Sequence, residues 1–451
     1  MRIVISLVSF LFLCTGLFTP EATAGLRNVS SHHIELVAAD TVAPEKSKKK
    51  KKKKKKKSRK ARKAAEVLKT SYDSVKSSQM YDSVKSSKMY DSVKSSKMYF
   101  TGDTIGLDSL PAPDTLALIQ EAPPLKDTLA IIGVGDIMMG TNFPDDSRLP
   151  PENGAFLMRS VEEHLRDADL TFGNLEGVLL DSGGTVKRCK DPKVCYAFRS
   201  PVSYVENLTR AGFDIMSLAN NHAGDFGDEG RQSTMAALDS AGIAHAGQLT
   251  HPYVFYTRDS ITYGFTAFAP NAGCVSLNDV KNAQSIIAHL DSLADVVIVS
   301  FHGGAEGSQH QHVPRKREIF YGEDRGDVYA LARAWIDAGA DIVFGHGPHV
   351  TRTVDVYNGR FIAYSLGNFC TYRGINIAGV NGLAPILKVY VNRSGEFLMG
   401  QIIPTYQTHA DGVQVDPNKR VIRLIRELKE KDFPESPLAI DDNGLINYLA
   451  Q

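Results

Sequence analysis

Between about residues 127 and 405, short apolar runs alternate with amphipathic stretches. The runs Leu129–Val134, Leu170–Phe172, Ile215–Leu218, Val296–Ser300, Ile342–Phe344 and Phe361–Tyr364 are apolar and strand-like, and Ile342–Phe344, stopped by Gly345, gives the clearest signal of a buried strand. The stretches Ser160–Arg166, Val202–Ala211, Arg231–Ala241 and Val328–Ala338 carry apolar positions at helical spacing. Strand–helix alternation of this length predicts an α/β domain with a sheet buried on both faces. Ile386–Val391 and Phe397–Ile403 flank Asn392-Arg393-Ser394-Gly395, a predicted hairpin. A charged helix is expected over Val421–Lys431, followed by a short tail.

Before residue 127 that pattern is absent. Met1-Arg2, the apolar run Ile3–Phe18 and Ala22-Thr23-Ala24 have the order of a secretory signal peptide, with cleavage expected after Ala24. Lys48–Lys57 is an unbroken lysine run, continued by Arg59, Lys60, Arg62 and Lys63. Self-repulsion in such a block opposes packing. A nine-residue repeat starts at Tyr72, Tyr81 and Tyr90, too short and too polar for a solenoid unit. Pro111, Pro113, Pro123 and Pro124 mark an extended linker.

The expected division is therefore a signal peptide over 1–24, a lysine-rich and repeat tether over 25–127, a folded domain over 128–412, and a C-terminal helix and tail over 413–451. The overall charge of +1 conceals two opposed halves. The first hundred residues hold 23 basic and 8 acidic side chains, whereas the remainder is acidic by 14 charges.

Export permits disulfides. Cys189 and Cys195 close a short loop, where either a disulfide or two free thiols fits the spacing. No C-x-x-C pair suggests a thiolate zinc site.

Ligands of α/β sheets bind beyond the carboxyl ends of the strands, and each predicted strand delivers polar residues there. The first is followed by Gly135-Asp136, the second by Asn174-Leu175-Glu176, and the third by Asn220-Asn221-His222 with Asp225 and Gly227. The fourth leads to His302-Gly303-Gly304 and Glu306, the fifth to His346 and His349, the sixth to Leu366-Gly367-Asn368. Carboxylate, carboxamide and imidazole without thiolate suit Mn, Fe or Zn.

This ordered succession, with Met138, Pro348 and Ser365-Leu366-Gly367-Asn368-Phe369, resembles the CapA-type poly-γ-glutamate capsule synthesis proteins over about Leu129–Pro404. The resemblance implies a four-layer α/β/β/α sandwich like that of the calcineurin-like metallophosphoesterases. It also implies metal ligation by Asp136, Glu176, Asn221, His302, His346 and His349, with one or two divalent ions bound. His222 corresponds to the histidine that protonates a leaving group, with Asp136 sharing the catalytic work. Met138 stands where the wider superfamily has a histidine, and Asn174 where it has a bridging aspartate.

Asn174, Arg199 and Asn368 are the candidate substrate contacts. Arg199 is drawn from a basic cluster that also contains Lys187, Arg188, Lys190 and Lys193; its planar fork suits an anionic substrate. Glu306, His310 and His312 read as solvated surface.

The function expected from the resemblance is an exported, periplasmic or surface protein of capsule or envelope polymer synthesis, with a metal-dependent hydrolase or transferase site. A general metallophosphatase or phosphodiesterase, and a non-catalytic polymer-binding assembly partner, are the alternatives. Expected partners are an anionic envelope polymer or other polymer-synthesis components, with an anionic membrane surface available to the lysine run. Nucleic acid is not expected, because no aromatic residues interleave the basic ones to stack bases.

Overall fold

The computed structural model describes residues 127–189 and 195–449, all within the unit Ile119–Gln451. The expected signal peptide, the lysine run, the repeats, the proline-marked linker, and Lys190 and Lys193 lie outside the described residues.

The chain order is β1 (Thr128–Met138), α1 (Glu162–Arg166), β2 (Leu170–Leu175), α2 (Val205–Ala211), β3 (Ile215–Ser217), α3 (Gly227–Ser240), β4 (Ala244–Ala246), β5 (Tyr253–Arg258) and β6 (Ile261–Phe268). There follow α4 (Val280–Asp291), β7 (Val296–His302), α5 (Val328–Ile336), β8 (Ile342–His346), β9 (Val354–Tyr357), β10 (Arg360–Ala363) and β11 (Asn368–Thr371). The last elements are β12 (Leu383–Asn392), β13 (Phe397–Thr408), β14 (Gly412–Val415), α6 (Arg420–Asp432), β15 (Leu438–Ile440) and β16 (Leu445–Tyr448).

A ten-stranded sheet runs β15-β16-β13-β12-β1-β2-β3-β4, with β11 also on β1 and β14 also on β13. A six-stranded sheet runs β9-β10-β8-β7-β6-β5. Their layering follows from side-chain alternation along each strand. Leu129 and Ile131 of β1 enter the same core as Ile298 of β7 and Phe344 of β8, so this core lies between the sheets. Ile132 and Val134 point the other way, to Leu208 of α2 and Leu238 of α3. On the far side, Val297, Val299 and Val343 meet Ile287 of α4 and Trp335 of α5. The result is helix, sheet, sheet, helix.

Phe172 joins the sheets, its ring 5.6 Å from that of Phe344 and 5.2 Å from that of Phe265. All three rings are fully buried, each worth roughly 1.5–3 kcal/mol in burial. Helix α6 inserts Val421, Ile422 and Ile425 into the same inter-sheet core.

Several boundaries differ from expectation. β1, β7 and β8 extend past their apolar runs, so Asp136, His302 and His346 sit within strand ends rather than in loops. The tail is not a loose appendage: β15 and β16 add to the sheet edge through β13. Strands β4–β6 and helix α4 lie outside the elements expected from the pattern. Helix α4 is capped by Asp279, whose side chain accepts the Asn282 N–H at 3.2 Å.

Candidate metal centre

Strand register builds the centre. In β1, Asp136 is paired with Asn174 of β2 on one side and Asn368 of β11 on the other. This proximity requires glycine just before it, since a Cβ on Gly135 would lie 2.0 Å from the Gly367 carbonyl oxygen. In the other sheet, His302 of β7 pairs with His346 of β8. Beyond β8 the backbone folds back on Gly303: a Cβ on Gly347, at φ 111°, would lie 2.8 Å from the Gly303 nitrogen. His349 follows at φ 56° and its side chain returns to the first sheet.

The Asp136 carboxylate is fully buried. Its Oδ1 accepts the Asn174 amide at 2.8 Å, and its Oδ2 lies 2.9 Å from His349 Nδ1. Asn220 donates in turn to the Asn174 carbonyl at 3.1 Å. His349 Nδ1 also lies 3.0 Å from Asn368 Oδ1. The nitrogen on the far edge of that ring, Nε2, is 3.5 Å from Glu176 Oε1. Asp136, Glu176 and His349 thus each offer a ligand atom, all within 4.8 Å of one another.

Burial pushes the Asp136 carboxyl up, but the His349 hydrogen bond and charge, with help from His346 and Asn174, outweigh it and hold the group below its usual value. Glu176 lacks comparable donors. Burial, aided by Asp136 and Asp225, pushes it up to about 8 against the pull of His349 and Arg325. His349 loses to burial but is raised to about 9 by Glu176 and Asp136.

Orphaned polar atoms test whether a cation fits. Both Glu176 oxygens, Asn221 Oδ1 and both ring nitrogens of His302 are buried without hydrogen-bond partners. Leaving such atoms unpaired costs about 1–3 kcal/mol each, so an oxygen- and nitrogen-rich donor set of this kind fits a borderline divalent ion. His302 is held well below its ordinary pKa, first by burial and then by the Arg325 charge, and so stays neutral with one ring nitrogen free to act as a donor atom to a metal.

His346 is placed differently from the expected ligand. Its Nε2 lies 3.1 Å from the Val134 carbonyl oxygen and its Nδ1 3.4 Å from Ser300 Oγ. Both edges of the ring are thus turned to the sheets, which leaves it beside the cluster. Met138 is turned inward as well, its sulfur accepting the Gly140 N–H at 3.3 Å.

His222 approaches from the third motif. Its Nδ1 is 2.7 Å from Asp225 Oδ2, its Nε2 is 3.9 Å from Glu176 Oε1, and its ring lies 4.3 Å from that of Phe198. Burial lowers its pKa, against the raising effect of Asp225. Asp225 also receives the Phe198 N–H at 2.7 Å and pairs with Lys187 at 2.6 Å. Lys187 and Phe198 lie just outside Cys189 and Cys195, which form a disulfide.

The three expected substrate contacts are occupied elsewhere. Asn174 is spent on Asp136 and Asn220. Asn368 donates to the carbonyls of His349, Asn376 and Asn381. Arg199 donates to Asn142 at 2.6 Å and to the Gly183 carbonyl at 3.0 Å, and lies over the Phe226 ring. Asn174 and Asn368 orient Asp136 and His349; Arg199 braces its loop. Glu306 is half-buried and ion-paired with Arg325 rather than solvated. His312 is exposed and meets Asp432. Arg325 escapes a reading of the sequence, because nothing near it resembles the other motifs.

Paired sheets between helical layers, with a histidine–carboxylate cluster at the strand ends, define an α/β/β/α sandwich. The chain belongs to the bacterial capsule synthesis protein family PGA_cap, which matches residues 130–373. It is 32% identical over 271 residues to the capsule biosynthesis protein CapA of Bacillus anthracis, covering 55% of this chain and 61% of that one. It is 30% identical over 275 residues to the PGA biosynthesis protein CapA of Bacillus subtilis (strain 168), covering 56% and 67%. The match thus spans about three fifths to two thirds of those relatives. A 5'-nucleotidase precursor from Thermus thermophilus is similar at 12% identity and a TM-score of 0.36, over 67% of this chain and 59% of that one; a likeness that distant adds no weight to the reading of the site. Among the described residues no helix is long and apolar enough to cross a membrane.

Proposed function

We propose that the chain is an exported, divalent-cation-dependent hydrolase or transferase acting on an anionic capsule or envelope polymer of the poly-γ-glutamate kind. The observation that carries this reading is the meeting of Asp136, Glu176 and His349 within 4.8 Å, in a chain of the capsule synthesis family. Asp136, Glu176 and His349 would hold the ion, with His302, its ring 6.1 Å from that of His349, beside them. The chemistry supplied with an ion bound is Lewis-acid polarisation of the oxygen at the scissile bond.

The remaining work falls to side chains. Asn174 and Asn368 fix the rotamers of Asp136 and His349, the kind of outer support that orients ligands. Asp225 holds the His222 Nδ1 proton, which leaves Nε2 as the atom that exchanges a proton with the substrate. Phe198 covers one face of that imidazole and restricts water there.

The test compares full-length wild type with Asp136→Asn and His349→Ala. Bound Mn, Fe and Zn are measured, together with cleavage of a γ-linked glutamate oligomer and of p-nitrophenyl phosphate. Loss of metal and turnover in both variants is the expected result. Equal metal content and equal turnover across the three would remove the enzymatic reading. Turnover of the phosphate ester alone would point to a general phosphatase.

A further inference from the structure

Arg325 has a side chain only 1% exposed, and its backbone packs on the residue after His302: a Cβ on Gly303 would lie 2.9 Å from the Arg325 carbonyl oxygen. Its backbone is stitched on both sides: Arg325 N–H donates to the Glu318 carbonyl at 2.9 Å, and Gly304 N–H donates to the Arg325 carbonyl at 2.9 Å. Glu318 is itself fixed by a buried two-pronged pair with Arg352, at 2.8 and 2.9 Å. The Glu318 carboxylate also takes the Ala305 N–H at 3.0 Å. Segments 303–306 and 318–326 therefore form one rigid frame behind His302.

The guanidinium meets Glu306 and, at 3.1 Å, Glu323. Those carboxylates are 26% and 37% exposed, so water already serves them and they do not require a buried cation. The Arg325 Nε is buried with no hydrogen-bond partner. Its charge also acts on the groups of the centre: it lowers Glu176 and depresses His302 and His349. A buried guanidinium is unfavourable unless its donors are met.

A divalent ion on Asp136, Glu176 and His349 would face this guanidinium as a like charge. An oxyanion between them reverses the sign of the interaction. Its oxygens can satisfy the planar fork, two at a time, while the same group faces the cation.

We propose that Arg325 is the oxyanion-anchoring residue of the cleft, holding a carboxylate or phosphoryl group of the substrate opposite the Asp136–Glu176–His349 centre. This rests on that centre being the seat of activity, and the two ideas fail separately. Arg325 then sets specificity for substrates with an anionic group near the scissile bond.

The experiment is isothermal titration of the full-length protein with inorganic phosphate and, separately, glutarate, each with and without Mn²⁺. Wild type, Arg325→Lys and Arg325→Ala are compared, with Mn²⁺ content and thermal midpoint measured on the same preparations. Wild type is expected to bind one of the two anions, and Arg325→Lys about tenfold more weakly, because a point charge replaces a fork. Mn²⁺ content is expected to be retained. Phosphate binding assigns a phosphoryl group and glutarate binding a carboxylate. Arg325→Lys keeps the charge, so it decides the matter should Arg325→Ala fail to fold. Anion affinity unchanged in Arg325→Lys and in any folded Arg325→Ala overturns the assignment, as does wild type that takes neither anion. Absence of Mn²⁺ binding in wild type would sink the metal centre alone; Arg325 would still be judged by the metal-free titration.

Discussion

His349 Nδ1 lies 2.9 Å from Asp136 Oδ2, although 213 positions separate the two residues. The first comes from a loop after the central strand of one sheet and the second from the central strand of the other. Their meeting ties the chemistry of the cleft to the packing of the whole sandwich.

Asn174 is the support most open to test. Asn174→Ala strips a donor from a buried carboxylate and leaves an Asn220 amide hydrogen without its acceptor. The expected loss is about 1–3 kcal/mol of stability and about 10–100-fold in metal affinity. Urea unfolding and competitive chelation measure the two. A variant matching wild type in both would show that Asp136 needs no such support.

Metal uptake is expected to release protons. Glu176 is raised to about 8 and His349 to about 9, so the metal-free protein still carries protons on both at pH 7. Ligation requires the deprotonated forms. Affinity for Mn²⁺ should therefore climb as pH rises from 7 through 9 and level off above. Calorimetry in two buffers of different ionisation enthalpy counts the protons, and a flat pH profile with none released would contradict this picture.

Replacement of His222 separates chemistry from binding. His222→Ala is expected to lower kcat about 10²–10⁴-fold while metal content stays at the wild-type level. Asp225→Asn should alter the pH profile of kcat, because the partner of Nδ1 changes. Turnover of His222→Ala equal to wild type would place proton transfer elsewhere.

Lys187 and Phe198, which both contact Asp225, flank the Cys189–Cys195 disulfide on either side. Closing so short a loop is worth about 2 kcal/mol on the chain-entropy account. Replacing both cysteines by serine should lower the thermal midpoint and reduce kcat through His222. Cys274→Ala serves as a control, since that buried thiol is free. No change on reduction would mean the loop holds its shape unaided.

Phe172 bridges the sheets through Phe344 and Phe265. Phe172→Ala is expected to cost about 3–5 kcal/mol, read as a lowered denaturation midpoint. The ring also meets His346 edge-on at 5.5 Å, so the loss falls on the packing beneath the centre.

The main strands were legible because each is a short apolar run, and three stop at a glycine, as Ile342–Phe344 does before Gly345. Convergence of Asp136, Glu176 and His349 was legible for the same reason: strand ends in an α/β domain share one edge. The direction of His346 was not. Spacing places two imidazoles three residues apart, but only the continuation of β8 through Gly345 turns the first toward Val134 while φ 56° at His349 returns the second to the cleft. The β5–β6 hairpin escapes notice because its turn uses Asp259 and Ser260 at positive φ, without the glycine that usually marks such a turn. Arg325 is hidden because its burial depends on Glu318 and Arg352, neither of which stands out along the chain.

The partnership of β12 with the first half of β1 has a practical bearing on gene trimming. β12 covers Thr128–Gly133, yet it lies beyond residue 373, where the family match ends. A fragment cut at that border would keep Asp136, Glu176 and His349 but strip the neighbour from an apolar inner strand, baring a sticky edge. Such a fragment should precipitate, and its silence in an assay would say nothing about the competence of the intact molecule.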